Sequence, residues 1–127
     1  MLLRPFAALV AAPSFSAAPS LAQTASYPPK PTRLIVPFPP GAGTDTVARF
    51  VAQKLGEALK TSIVVDNRTG AGGAIGTVEA ARAEPDGYTL LFVASPFTTV
   101  AAASATAGYY PVRQFVPVAP IASGPLA

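Results

Sequence analysis

Two glycine-rich stretches hold the residue types and spacings best able to do chemistry. They are Pro37-Phe38-Pro39-Pro40-Gly41-Ala42-Gly43-Thr44-Asp45 and Arg68-Thr69-Gly70-Ala71-Gly72-Gly73-Ala74-Ile75-Gly76. Each follows a short apolar run and precedes a helical pattern, so each reads as a strand-to-helix turn. Glycine lets the backbone turn sharply and approach a ligand closely. The prolines of the first stretch fix φ and remove donors as the chain leaves its strand. The expected product is a rim of free N–H groups at a helix N-terminus, which suits an anion. Gly41, Ala42, Gly43 and Thr44 can offer such groups from one side, and Gly70 to Ala74 from another. In an open α/β sheet both turns lie beyond the carboxyl ends of strands and can converge on one crevice.

The side chains near the turns each have two readings. Thr44 or Asp45 can cap the first helix. Asp45 is either a helix-terminal carboxylate favoured by the dipole or a ligand-facing acceptor. Arg68 is either a solvated loop residue or a clamp for a carboxylate. Ser95, after a third apolar run, is either a turn residue or a third ligand contact. A P-loop needs a lysine that neither turn has, and neither turn completes the three-glycine dinucleotide fingerprint. Asp45 would also repel a pyrophosphate. Asp45, Asp66 and Asp86 fall at element ends where turn and cap chemistry already explains them, so no catalytic constellation emerges.

Composition narrows the classes further. The 127 residues suit one domain at most, and with half of them hydrophobic and 12% charged the chain is not disordered. The formal charge of +3 comes from scattered basic residues, so no nucleic-acid face is expected. Histidine and cysteine are absent, which removes the Ser-His-Asp triad and most zinc, haem and thiol chemistry. A binder without cofactor or metal is expected rather than an enzyme.

The elements that must position these turns can be read in order. Residues 1–22 have the form of a secretory signal: Arg4, an apolar centre Phe6 to Ala12, and Ser20-Leu21-Ala22 as a small-x-small cleavage site. Residues 23–32 are a proline-rich extended lead-in. Arg33 to Phe38 is a near-continuous apolar strand, as in a parallel sheet covered on both faces. Asp45 to Lys60 is the clearest helix, with Val47, Val51, Leu55 and Leu59 expected in the core. Ser62 to Asn67 is a second strand. Gly73 to Glu84 is a second helix, with Ile75 and Val78 inward and Glu79 and Arg82 outward. Pro85-Asp86-Gly87 is a turn, and Tyr88 to Ala94 a third strand. Pro96 to Thr99 can open a helix, Tyr109 to Arg113 reads as a loop, and the prolines of Phe115 to Ile121 demote it to an edge or an irregular connection. Strand, helix, strand, helix, strand is a doubly wound α/β order.

Several of these segments together resemble the Bug family, the extracytoplasmic substrate-binding receptors of tripartite tricarboxylate transporters. They are Tyr27-Pro28-Pro29-Lys30-Pro31, Arg33-Leu34-Ile35-Val36-Pro37-Phe38-Pro39-Pro40-Gly41 with Gly43-Thr44-Asp45, Val64-Val65-Asp66-Asn67-Arg68 with Gly70-Ala71-Gly72-Gly73, and Pro85-Asp86-Gly87-Tyr88-Thr89-Leu90-Leu91. Tyr110-Pro111-Val112 and Phe115-Val116-Pro117-Val118 also match. The resemblance implies a periplasmic-binding-protein fold, type II-like and of Venus-flytrap form, with residues 33–127 as the first part of its first domain and the second domain absent. It implies that the turns grip a small carboxylate, an organic acid or amino acid. The ligand-binding residues would be Phe38, Pro39, Pro40, Gly41, Ala42, Gly43, Thr44 and Asp45 in the first turn and Arg68, Gly70, Ala71, Gly72 and Gly73 in the second. It further implies a periplasmic location and the membrane components of such a transporter as partners. This sequence departs from the pattern at Ala42, where glycine is usual and a positive φ would be costly, at Thr69, where proline is common, and at Tyr110, where aspartate is favoured. A solute receptor is the leading reading; the N-terminal part of a dinucleotide-binding enzyme and an inactive truncated remnant are its alternatives.

Overall fold

The computed structural model describes residues 30–123. The expected signal and residues 23–29 of the lead-in lie outside the described residues. Three parallel strands form one sheet: β1 (Thr32–Val36), β2 (Ile63–Asn67) and β3 (Thr89–Leu91), in the order β2-β1-β3. The first crossover runs through α1 (Gly43–Leu59). The second runs through a 3₁₀ turn (Ala71–Gly73) and α2 (Ala74–Ala81). Two short helices follow, α3 (Pro96–Ala103) and α4 (Pro111–Gln114). The expected parallel α/β order is the one observed.

β1 is the central strand, and its Leu34, Ile35 and Val36 are buried on both faces. Leu34 and Val36 pack under Ala48 and Ala52 of α1, with Phe38, Ile63, Val65, Leu90 and Phe92 around them. Side chains alternate along a strand, so Arg33 and Ile35 face the other layer. There Arg33 bonds Glu79 of α2, and Ile35 is fully buried. The chain steps from β1 to β2 on one side, then crosses back over β1 to β3 on the other. The strand order therefore reverses at β1, and the switch point lies between the ends of β1 and β3.

The helical core faces differ from expectation. The buried line of α1 is Asp45, Ala48 and Ala52, while Val47 is exposed and Val51, Leu55 and Leu59 are only partly buried. Small side chains on that line let the helix sit close to the sheet. On α2, Gly76 and Thr77 face inward and Ile75 is 55% exposed. Glu79 is not simply outward: it joins Arg33, Asp66 and Arg68 in an ion cluster, with Arg68 Nε 3.1 Å from Asp66 and 3.4 Å from Glu79. Arg33 Nε also donates to Asp66 at 2.8 Å. The stretch expected as a loop at Tyr109 to Arg113 instead enters α4. Pro111 supplies a preset φ at its first turn, and Tyr110 N–H donates to Gln114 Oε1 at 2.6 Å.

Candidate functional site

Beyond the carboxyl ends of the strands the two glycine turns lie side by side. Arg68 N–H donates to Val36 O at 2.9 Å, which keeps β2 paired with β1 up to the start of both turns. α1 begins two residues earlier than the helix read from sequence. Its N-cap is Ala42, with φ −64° and ψ 158°, and neither Thr44 nor Asp45 occupies that position. The feared cost of a positive φ at Ala42 does not arise, because the left-handed residue of this turn is Gly41, at φ 81°.

Asp45 sits in the first turn of α1 with its carboxylate 1% exposed. Oδ2 accepts from Gly41 N–H at 2.8 Å and from Arg49 Nε at 2.9 Å, and Oδ1 accepts from Asn67 Nδ2 at 2.8 Å. The Arg49 guanidinium, then the Asn67 amide and the Gly41 N–H, hold its pKa down at about 2. The carboxylate is thus ionised and turned into the protein, away from the open face of the turn. Arg49 and Asn67 were not singled out from sequence. The i,i+4 spacing of Asp45 and Arg49 was the available signal for one of them.

These bonds also reassign the donors. Gly41 N–H is taken by Asp45, and Ala42 N–H donates to Pro39 O at 3.2 Å, so neither faces outward as expected. Thr46 N–H begins the α1 ladder by donating to Ala42 O, which leaves the N–H groups of Gly43 and Thr44 without intrahelical partners. A Cβ placed on Gly41 or Gly43 would meet nothing within 4 Å, so this side of the turn is open. In the second turn Gly73 N–H donates to Gly70 O at 3.0 Å and Ala74 N–H to Ala71 O. Ala71 and Gly72 keep their N–H groups free among the described residues. Gly70, Ala71, Gly72 and Gly73 all have positive φ, a left-handed run that only Ala71 makes without glycine.

A narrow seam joins the turns at the switch point, lined by Pro37, Phe38, Gly72, Gly73, Val93, Ala94, Phe97 and Tyr109. It is too thin to admit a water. Gly73 lies against Pro37, whose Cβ would be 3.4 Å from an added Cβ. Phe97 and Tyr109 stack at 5.6 Å, Phe115 meets both edge-on, and the Tyr109 hydroxyl donates to Phe97 O at 2.8 Å. This cluster fixes the start of α3, where Ser95 is exposed at the N-cap. Arg68 is drawn towards Asp66 and Glu79 on the α2 side. A larger open hollow of about 420 Å³ lies elsewhere, under α1 at the free edge of β2, and includes none of the turn residues. Among the described residues no group of acidic side chains is arranged to hold a metal.

The chain is similar to known proteins in sequence and in fold. A family profile described as "Tripartite tricarboxylate transporter family receptor" matches residues 47–127. BugT from Bordetella pertussis is 43% identical over 112 residues, covering 87% of this chain and 34% of BugT. Among solved structures, the periplasmic binding protein BugD is 49% identical with a TM-score of 0.50, over 51% of this chain and 22% of that one. MatC from Rhodopseudomonas palustris, with bound malate, is 38% identical with a TM-score of 0.50 over the same shares. The chain spans about a third of the length of the curated relatives it matches.

Proposed function

Because the chain belongs to the tripartite tricarboxylate transporter receptor family, we propose that it contributes the first-lobe turns of an extracytoplasmic receptor for a small carboxylate. The observation that carries this reading is the pairing of two glycine turns at one switch point, with N–H groups of Gly43, Thr44, Ala71 and Gly72 left for a ligand. The one carboxylate of the first turn is turned inward and its charge is paired with the Arg49 guanidinium, which limits its repulsion of an anion. Phe38, Pro39, Pro40, Gly41, Ala42 and Gly70 then shape the turns, Gly73 packs them together, and Ser95 borders them. Asp45 supports rather than contacts the ligand, and Arg68 reaches it only by leaving its acidic partners. Malate, bound by a structural relative, is a suitable probe. The receptor passes its ligand to the membrane components of the transporter, and the leader before Gln23 directs export to the periplasm.

Two or so charge-assisted bonds of about 1.5–3 kcal/mol each give a lobe-only affinity of about millimolar, near −4 kcal/mol. Titration of the ¹⁵N-labelled chain with malate should shift the amides of Gly43, Thr44, Ala71 and Gly72 together, while NAD should not. Unmoved amides with malate, or a response to NAD instead, would overturn the receptor reading. Recovery of the native chain only from the cytoplasm, with its N-terminus uncleaved, would overturn the export reading.

A further inference from the structure

We infer that Asp45, Asn67 and Arg49 are positioning residues, a brace anchored on the buried Asp45 carboxylate that sets the spacing between the two glycine turns. The inference rests on the receptor reading for its purpose, but its geometry stands apart from it. Asn67 ends β2, one residue before Arg68 and the second turn. Its side-chain amide donates both to Asp45 Oδ1 at 2.8 Å and to Phe38 O at 3.0 Å, so one group holds the helix start and the entry of the first turn. Its Oδ1 accepts from the Arg49 guanidinium at 2.9 Å, and Arg49 Nε returns to Asp45 at 2.9 Å. The three side chains close a ring, and Asp45 extends it into the first turn through Gly41 N–H at 2.8 Å.

Every partner of the Asp45 carboxylate is a donor, and two of them belong to groups at the ends of different elements. A buried carboxylate is costly unless it is paired and hydrogen-bonded in this way. Capping alone would need only the Gly41 contact. The added bond to Asn67 ties the cap to the neighbouring strand, whose next residues form the second turn. On the opposite layer Pro37 rests against Gly73 and Gly76. The first turn is therefore gripped from both layers, and the open N–H groups of the two turns are held at a fixed separation.

The test uses the 127-residue chain, ¹⁵N amide spectra and malate. Asn67→Ala cuts the link while leaving Asp45 with Gly41 and Arg49. It should move the amides of Gly70 to Gly73 as well as that of Gly41, and weaken malate at least tenfold. Ile35→Val, which loosens the core, should leave those amides in place. If Asn67→Ala does not fold, Asn67→Ser is read in the same way. Second-turn amides that ignore position 67 would overturn the brace. Coupled turns in a chain that ignores malate would leave the brace standing and sink the receptor reading; malate binding with uncoupled turns would do the reverse.

Discussion

Adding one methyl group at Gly76 tests how closely α2 must approach the turns. The residue is buried in the first half of α2. A Cβ there would lie 2.5 Å from the Arg68 carbonyl oxygen, 3.0 Å from Arg68 Cβ and 3.0 Å from Pro37 Cβ. Two effects oppose each other. Replacing glycine by alanine inside a helix favours folding by about 1 kcal/mol. Overpacking costs about 1–3 kcal/mol, and the worst contact here is with backbone, which has no rotamer to escape into. Reaching ordinary contact from 2.5 Å requires a shift of about 0.9 Å in α2 or the Arg68 peptide. The clash should therefore win near the top of its range. Gly76→Ala is expected to lose about 2 kcal/mol, or roughly 10 °C in Tm for a domain of this size. Gly43→Ala is the matched control: nothing lies within 4 Å of its added Cβ and its φ is not left-handed, so it should gain about 0.4–1 kcal/mol. Urea unfolding of both variants gives the comparison. A Gly76→Ala chain as stable as the original would show that α2 can move freely, and that the packing of Pro37 on α2 does not fix the turns.

Two other outcomes follow from the site. Because the folded pKa of Asp45 lies at about 2, below its ordinary value of 3.8, its contribution is complete above about pH 4 and is lost as pH falls towards 2. The urea midpoint of the original chain should fall more steeply over that window than that of Asp45→Asn, and parallel curves would refute the assignment. Tyr109→Phe keeps the ring stack but removes the donor to Phe97 O, and should cost about 1 kcal/mol in thermal unfolding; no loss would mean that the hydroxyl contributes nothing to holding α3.

Much of the fold is legible in the residues because it depends on local pattern. The apolar run around Ile35 reads as a strand covered on both faces, and the glycine turns announce themselves by composition. Where side-chain size decides the packing, the pattern misleads. Val47 and Ile75 look like core residues, yet Ala48, Ala52 and Gly76 take the inward positions, because the helices approach the sheet more closely than large side chains allow. The candidate site is legible as two turns but not as a set of donors. Gly41 and Ala42 look like ligand-facing amides, and only the fold shows their N–H groups spent on Asp45 and Pro39.

By itself the sequence determined the alternation of strands and helices, the location of the flexible backbone and the absence of histidine and cysteine chemistry. Those are properties of residue types and their near neighbours. Tertiary structure alone decided that Asp45 turns inward to meet Asn67, 22 positions away, and that Arg33, Asp66, Arg68 and Glu79 form one cluster. It also placed Pro37 against Gly73 and Gly76. The physical reason is that the sheet order β2-β1-β3 sets the ends of separate elements side by side, and a charge or an N–H group has no fixed partner until that happens.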